Sequence, residues 1–473
     1  MSHIKETDQT LNDKGDKNGL KNKYTGGFYL GKMGPWIPII LMVIGLIVGT
    51  KIGGGGILRF SLITFLAVIA GFFLTKDKKN FGKVAISGLT NSMLAIIIIA
   101  FLSAGVLGQL LRQSGLIEAL VHTAGSVNFD AGFLPLISFV ICAIISTSCG
   151  TSSGSITAMA PVMLPLAVGM GCSPGLVCGA IISGAIFGDN LAPISDTTIG
   201  SALTQEAQVG DVVRTRLPYS LIAGGISAVL FAVLGNVTTA SRSMEGVAIE
   251  ADLKSLLLLV LPVIMIIMIK KGFDLVATLL VCDAMGIVLN LVLGTINLDA
   301  MLSNEGPIVA GLSGMINLVM YCILLFILLE ILNCSGAFDA LVQGLTKNCK
   351  SARSAELVCM LGTAVGTAAA GGSSPAVLFF GPMVRKVTKD FGIERTRGAN
   401  ILDGTACGIC SILPYGTPVM LCLGFTAEIA AIPADFGYFD IVPYSFHGIL
   451  LLVLFVLSIL TGVGRRYVKD GEA

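Results

Sequence analysis

The feature that most constrains this chain is a polar run between long apolar segments. Residues 184–202 read Gly-Ala-Ile-Phe-Gly-Asp-Asn-Leu-Ala-Pro-Ile-Ser-Asp-Thr-Thr-Ile-Gly-Ser-Ala. They hold two helix breakers, Gly188 and Pro193, and two carboxylates, Asp189 and Asp196. At membrane depth, irregular backbone is tolerated only when it is buried in protein or faces a water-filled cavity, and ionisable side chains are costly and usually functional. The run therefore predicts a broken transmembrane helix that forms a cation site.

The composition indicates a polytopic membrane protein. Hydrophobic residues make up 54% of the 473 residues and charged residues only 12%, against roughly 25% charged in soluble domains. The net charge of +1 provides no basic surface for nucleic acid, so we expect no nucleic-acid partner. Residues 1–34 are polar and rich in Lys and Asp, which predicts a disordered cytoplasmic tail.

Apolar segments of spanning length alternate with two stretches that small polar residues interrupt. The predicted spans are 36–50, 56–74, 84–111, 174–199, 217–235, 253–269, 272–294, 306–332, 399–431 and 443–463. The interrupted stretches are 132–170 and 355–384, and each arm is short for a full span. Both are therefore predicted to be re-entrant hairpins with tips near the bilayer centre. The predicted tips are Gly150-Thr151 and Gly366-Thr367.

The two halves of the chain repeat. The segment 114–121 resembles 335–342, which lies 221 positions later, and Pro193 has its counterpart in Pro414 at the same spacing. Each half has five predicted crossings, an odd number, so the second half is inverted relative to the first. The predicted fold class is an all-α polytopic membrane protein with two inverted repeats, each with a re-entrant hairpin and a broken transmembrane helix.

The distribution of positive charge agrees with this topology. With both termini inside, 25 of the 30 Lys and Arg residues fall in predicted cytoplasmic segments, as the positive-inside rule requires. Arg214 and Arg216 are among them, in the segment 202–216. No Lys or Arg lies at the middle of a predicted span, since Arg59 and Arg112 sit near the outer ends. No buried cationic side chain is therefore expected, which favours a cation, a zwitterion or a monoanion as cargo.

Hairpin tips and helix breaks expose backbone carbonyls and side-chain oxygens that can replace the water shell of a small hard cation. The first predicted ion site comprises Ser148, Thr151, Ser152, Ser153, Asp189, Asn190, Ser195, Asp196 and Thr197. Within it, Na+ is expected at Asp189, Asp196, Asn190, Ser152 and Thr151. The second site, for another ion or an organic substrate, comprises Thr367, Ser373, Ser374, Asp403, Thr405, Ser411 and Thr417. Alternatively, Asp403 is a structural hydrogen-bond partner rather than a ligand.

The first break carries two carboxylates and the second break, 411–418, carries none, so a cation should prefer the first half. Two carboxylates in a dry site repel each other, which favours the binding of either a proton or Na+. That competition is the simplest physical basis for Na+/H+ exchange.

Residues 188–198 resemble the signature of the NhaC family of Na+/H+ antiporters, within the wider ion transporter superfamily, and the resemblance covers about residues 35–465. Members of this family resemble Na+/H+ antiporters, malate/lactate exchangers or amino-acid carriers, so the resemblance does not specify the cargo. The resemblance implies a sodium-coupled secondary transporter of the bacterial inner membrane, with Na+ as coupling ion and no other cofactor. It also implies a homodimer in membrane lipid, with a scaffold domain and a transport domain that moves as an elevator.

This scheme divides the chain into seven parts. They are the cytoplasmic tail (1–34), the scaffold helices (35–112 and 252–332), the transport-domain halves (113–216 and 333–442), the last span of the first repeat (217–235) and the last span with its tail (443–473).

Three other functions stay open. A Na+- or H+-coupled carrier of a small organic acid or amino acid uses the same architecture. A distant alternative is an intramembrane serine protease, because residues 150–154 fit the G-x-S-x-G pattern, although membrane helices flank them. A channel would need an open pore, whereas paired tips and breaks favour an alternately exposed site.

Overall fold

The computed structural model describes residues 27–53, 57–126, 130–193, 195–239, 252–337, 344 and 349–468. Most of the predicted tail, Ile194 of the polar run and residues 338–342 of the second repeated segment lie outside the described residues. At the end of the predicted tail, Phe28 is buried and forms a β-bridge with Thr75, and a 3₁₀ helix begins at Gly31.

The described chain is almost entirely helical. The helices up to residue 238 are α1 Ile37–Gly53, α2 Ile57–Leu74, α3 Phe81–Leu89, α4 Ser92–Gln113, α5 Leu116–Ser126, α6 Leu134–Cys149, α7 Ser152–Gly169, α8 Pro174–Leu191, α9 Asp196–Thr204 and α10 Val209–Thr238. Those that follow are α11 Val260–Lys270, α12 Leu275–Leu293, α13 Leu298–Leu302, α14 Pro307–Cys334, α15 Ala352–Ala370, α16 Ser373–Asp390, α17 Arg395–Cys410, α18 Thr417–Ala427, α19 Tyr438–Ile441 and α20 Phe446–Thr461.

Six helices in the described part of the chain are long and apolar enough to cross a membrane, and a pair bent by 56°, 438–444 with 446–461, would add a seventh. The six are Leu94–Gln113, Ser152–Gly169, Pro174–Leu191, Val209–Thr238, Leu275–Leu293 and Leu298–Cys334. One of them, α7, corresponds to an arm of the first predicted hairpin. These helices support a polytopic membrane transporter as the coarse fold class, while the ten predicted crossings stay a prediction.

Two tight turns join helix pairs at equivalent places in the chain. Gly150 ends α6 and Gly371 ends α15, and both adopt the left-handed conformation at φ +68°, which glycine reaches without a steric penalty. The helices that follow begin at Ser152 and Ser373, 221 positions apart, and each is 18 residues long. The two turns thus share the spacing of the prolines in the two breaks.

The second turn corrects a prediction. Gly366 and Thr367 were expected at the tip of the second hairpin, but both lie inside α15, which continues to Ala370. The alanine run 368–370 keeps the helix intact because alanine has the highest helix propensity. Gly366 instead permits a close approach, since a Cβ there would collide with the ring of Phe380.

Both breaks interrupt a helix with a short non-helical segment. In the first half, α8 ends at Leu191 and α9 begins at Asp196. In the second half, α17 ends at Cys410 and α18 begins at Thr417. The apolar core packs α6 against α8 and α14 against α4, and residues of both turns and both breaks line one cavity.

Candidate functional site

A cavity of about 220 Å³ lies where the two turns and the two breaks converge. Its polar or reactive lining comes from Thr151, Ser152, Ser153, Asp189, Asp196, Ser373, Ser374, Cys410 and Thr417. Its apolar wall comes from α4 and from the first residue of α12, through Ile96, Ile97, Ala100, Phe101 and Leu275. The cavity therefore combines both halves of the chain and touches two helices outside the turns and breaks.

The first turn presents a helix N-terminus to the cavity. Gly150 reverses the chain, and Thr151 caps α7 by accepting a hydrogen bond from the backbone N–H of Gly154 at 3.4 Å. Ser152 and Ser153 form the first turn of α7 and line the cavity. Their hydroxyl oxygens are suitable neutral ligands for a hard cation.

Asp189 lies at the end of α8 and is only 2% exposed. The side chains of Ser195 and Ser152 lie near its carboxylate, and its Oδ1 atom has no hydrogen-bond partner among the described residues. A buried carboxylate oxygen without a partner is costly. A bound cation or proton in the cavity would remove that cost.

Asp196 begins α9 and connects the two halves of the chain. Its Oδ1 accepts a hydrogen bond from the backbone N–H of Thr197 at 3.0 Å, and its Oδ2 accepts one from Ser374 Oγ at 2.6 Å. A carboxylate in the first helical turn is also favoured by the helix dipole. The second turn thus reaches directly to an acid of the first break.

The charge of the cavity lining is negative. Two carboxylates face it, and the lining includes no Lys, Arg or His from the described part of the chain. Four helices also begin there, α7, α9, α16 and α18, and their partial positive charges moderate the repulsion between the acids. Chemically, the cavity can bind a small cation or a proton between hydroxyl and carboxylate oxygens.

Several predicted site residues do not line this cavity. Buried Asn190 instead faces the last helix, with its Nδ2 atom 3.5 Å from Nε2 of His447, and its Oδ1 atom lacks a partner among the described residues. Ser195 and Thr197 share a hydrogen bond of 3.0 Å behind the two acids. These three residues surround the acids rather than face the open volume.

The second predicted site is only partly assembled at the cavity. Ser373, Ser374 and Thr417 line it, whereas Thr367 donates to the carbonyl of Thr363 and Ser411 to that of Gly408. Thr405 is buried, and its hydroxyl has no partner among the described residues. The side chain of Ser148 lies outside the described residues.

The expectation that no basic side chain lies within the bundle is wrong. Arg216, assigned from its position to a cytoplasmic segment, lies in α10 with a fully buried side chain, and its Nη1 forms a salt bridge with Asp403, which is equally buried. Thr198 contacts both groups, at 3.0 Å from Arg216 Nη2 and 3.2 Å from Asp403 Oδ2. A buried guanidinium needs a counter-ion, and this pairing favours the structural alternative for Asp403.

Sequence reasoning missed Cys410 and the apolar wall of the cavity. A signal for Cys410 was present, because it follows Asp189 by the same 221 positions that relate the prolines. The residues of α4 gave no signal, because an apolar face is expected anywhere on a membrane helix.

Comparison with known proteins identifies related transporters. Residues 21–236, slightly less than half of the chain, match the Na+/H+ antiporter family. The Na(+)/H(+) antiporter NhaC of Bacillus subtilis (strain 168) is 23% identical over 82% of this chain and 88% of its own length. The predicted resemblance to the NhaC family is therefore confirmed.

Two further relatives are named as antiporters of organic solutes. The arginine/ornithine antiporter ArcD of Halobacterium salinarum (strain ATCC 700922 / JCM 11081 / NRC-1) is 26% identical over 87% of this chain and 87% of its own length. The malate-2H(+)/Na(+)-lactate antiporter of Bacillus subtilis (strain 168) is 32% identical over 36% of this chain, and the aligned part spans about a third, 36%, of that relative. The matched family and these relatives are antiporters, which supports a secondary antiporter and not an enzyme.

Proposed function

We propose that this protein is a sodium-coupled secondary antiporter in which Na+ and H+ compete for Asp189 and Asp196. The observation that carries the proposal is the unpartnered Oδ1 atom of buried Asp189 at a cavity whose lining bears carboxylates and no basic side chain. Such an oxygen requires a cation or a proton, and the two cannot bind it together.

In this mechanism Na+ binds between the two acids and the first turn. Asp189 and Asp196 supply charge, and Thr151 and Ser152 supply neutral oxygens from the N-terminus of α7. Loss of Na+ leaves two carboxylates at one small cavity, and their repulsion favours uptake of a proton. Ser195 lies near Asp189 and hydrogen-bonds to Thr197, so its hydroxyl can stabilise the charged carboxylate in the Na+-loaded state.

We further propose two inverted repeats that move as an elevator. The common spacing of 221 positions between the turns and between the prolines of the breaks supports the repeats. The apolar wall from α4 and α12 supports a division into a fixed scaffold and a moving unit. On this proposal the turns are re-entrant, both termini are cytoplasmic, and the protein is a homodimer of the bacterial inner membrane.

Purified protein in proteoliposomes with an internal pH dye and ²²Na+ tests the proposed exchange. Wild-type protein should change the internal pH when Na+ alone is added. Asp189→Asn should weaken Na+ binding about tenfold or more, because an interaction with a charged group contributes about 1.5–3 kcal/mol and about 1.4 kcal/mol corresponds to a factor of ten. Asp299→Asn is the matched control, since Asp299 is exposed on the short helix α13.

Two results would contradict the proposal. One is Na+-dependent proton movement in Asp189→Asn and Asp196→Asn that equals that of wild type. The other is the absence of any pH change with Na+ alone in active, correctly reconstituted wild-type protein.

A second candidate is Na+-coupled exchange of a small organic acid or amino acid. The observation in its favour is the convergence of four helix N-termini on the cavity, since such ends bind the carboxylate of a substrate in transporters. The names of the malate/lactate and arginine/ornithine relatives point the same way. In the same proteoliposomes, transport that begins only after malate, lactate or arginine is added would select this candidate.

A further inference from the structure

A second cavity shares no lining residue with the cavity at the candidate ion site. It forms a groove of about 490 Å³ between α10, α17 and α20. Most of its lining is apolar, with Pro218 and Ile222 on one side and Leu454 and Leu457 on the other. Ile222 and Leu457 are 52% and 50% exposed, so the groove opens on the outer surface of the helix bundle. In a membrane, that surface faces the acyl chains of lipid.

One end of the groove is polar. Arg397, Asn400 and Arg466 line it, and they lie opposite Thr215, two turns after the start of the spanning helix α10. The end of a spanning helix lies at the level of the lipid headgroups. The groove therefore runs from headgroup level into the hydrocarbon region.

The polar end carries excess positive charge. Glu356 is fully buried and accepts hydrogen bonds from Arg397 at 2.9 Å and from Arg465 at 2.7 Å, so one carboxylate serves two guanidinium groups. Arg466 forms no salt bridge with the described residues. The groove lining itself contains two arginines and no carboxylate.

A neighbouring cleft of about 480 Å³ shares Thr215 and Arg466 with the groove and adds further charged side chains. Arg214 contributes a positive charge, and Asp211 and Glu394 contribute negative charges. When Glu356, Arg397 and Arg465 are included, the groove and the cleft together have four arginines and three acids. The arginines are Arg214, Arg397, Arg465 and Arg466, and the acids are Asp211, Glu356 and Glu394. The net charge of these seven side chains is therefore positive, and none of the three acids lines the groove.

Asn400 supplies an independent sign of a ligand. It is only 3% exposed and lines the groove, and its Nδ2 donates to Thr215 Oγ1 at 2.8 Å. Its Oδ1 has no hydrogen-bond partner among the described residues. A hydroxyl donor in the groove would satisfy that oxygen.

We propose that this groove binds an anionic phosphoglycerol lipid. An acyl chain lies between α10 and α20, the phosphate accepts from Arg466, and a headgroup glycerol hydroxyl donates to Asn400 Oδ1. Arg397 is buried and already donates to Glu356, Tyr219 and Ser458, so it contributes positive charge to the polar end rather than a direct contact. Basic pockets between transmembrane helices suit anionic headgroups, and arginine is well matched to phosphate. The headgroup hydroxyl distinguishes this lipid from a choline lipid, which is zwitterionic and has no donor there.

Native mass spectrometry of the delipidated full-length protein tests the site. The probes are dioleoylphosphatidylglycerol, dioleoylphosphatidylcholine and free glycerol phosphate. Wild-type protein should retain the phosphatidylglycerol at least fivefold more than the phosphatidylcholine, and Arg466→Gln should remove that preference. Arg353→Gln, which removes an exposed arginine at the start of α15, should keep the preference.

A second pair of variants tests the acyl part of the groove. Leu457→Trp should fill the groove and abolish retention with all arginines intact. Leu460→Trp adds the same bulk to an exposed position of α20 that does not line the groove, and it should retain lipid. Equal retention of both lipids, displacement by glycerol phosphate alone, or loss of a dimer mass instead of a lipid mass in Leu457→Trp would overturn the proposal.

Discussion

The buried pair of Arg216 and Asp403 allows a strong test of what Asp403 contributes. Both side chains are fully buried, so Asp403→Leu leaves a guanidinium in the interior without its counter-ion. Removal of one partner from a buried ion pair costs about 3–5 kcal/mol, which is roughly a hundred- to several-thousand-fold in the ratio of folded to unfolded protein. Arg216→Met should lower the free energy of unfolding by a similar amount, because it leaves the buried carboxylate of Asp403 without its counter-ion.

The double variant Arg216→Met/Asp403→Leu should recover most of that loss. Replacement of a buried ion pair by apolar residues of similar size is often neutral, so the two single effects should be strongly non-additive. The assay is thermal unfolding of the four full-length proteins in detergent, followed by size-exclusion chromatography. A double variant no more stable than the weaker single variant would refute the reasoning.

Transport by the same double variant decides between the two roles of Asp403. If its carboxylate serves only as counter-ion to Arg216, the folded double variant should exchange Na+ at close to the wild-type rate. A well-folded double variant that has lost Na+-dependent exchange would instead favour the predicted ligand role in a second site.

Two further predictions concern stability away from the cavity. Gly184→Ala places a Cβ against the backbone carbonyl of Phe139, which cannot move aside, so it should cost about 1–3 kcal/mol. Gly210→Ala meets no atom in reach, and because alanine favours a helix more than glycine does, the midpoint of thermal unfolding should stay unchanged or rise slightly. The hydrogen bond from Arg385 lowers the pKa of exposed Glu206, so the pair should stabilise the protein at neutral pH and lose that effect as the pH falls through this lowered value. Glu206→Gln should therefore match wild type at low pH and be slightly less stable at pH 7, and the reverse order would contradict the assignment.

The first half of the candidate site was predictable because its signals are local. Pro193 and two acids within an apolar region leave few alternatives to a helix break at membrane depth, and Asp189 and Asp196 do line one cavity. Gly188, predicted to be a second helix breaker, instead lies inside α8 and permits its close approach to Ala143. The position of the second turn was harder, because glycine occurs at both 366 and 371. Only the packing against Phe380 and the left-handed backbone of Gly371 separate the two.

The burial of Arg216 could not be predicted from its neighbours in the chain. Its partner, Asp403, lies 187 positions away, and a charge count over segments treats every arginine near a span end as solvated. Asn190 shows the same limit on a smaller scale. It follows a cavity-lining acid directly, yet one step around the helix turns its side chain toward His447.

The two halves bring equivalent positions to one cavity but give them different chemistry. At the spacing of 221 positions, each lining residue of the first break or turn has a lining counterpart in the second. These pairs are Asp189 with Cys410, Asp196 with Thr417, Thr151 with Gly372, Ser152 with Ser373, and Ser153 with Ser374. The hydroxyl groups of the two serines in the first turn are retained, whereas the hydroxyl of Thr151 is absent at Gly372 and both carboxylates are replaced by neutral groups. Both carboxylates of the cavity therefore come from the first half of the chain. The second half contributes a hydrogen bond, which Ser374 donates to Asp196. This asymmetry favours one cation per cavity over two symmetric ion sites, because a second Na+ would have no carboxylate of its own to compensate its charge.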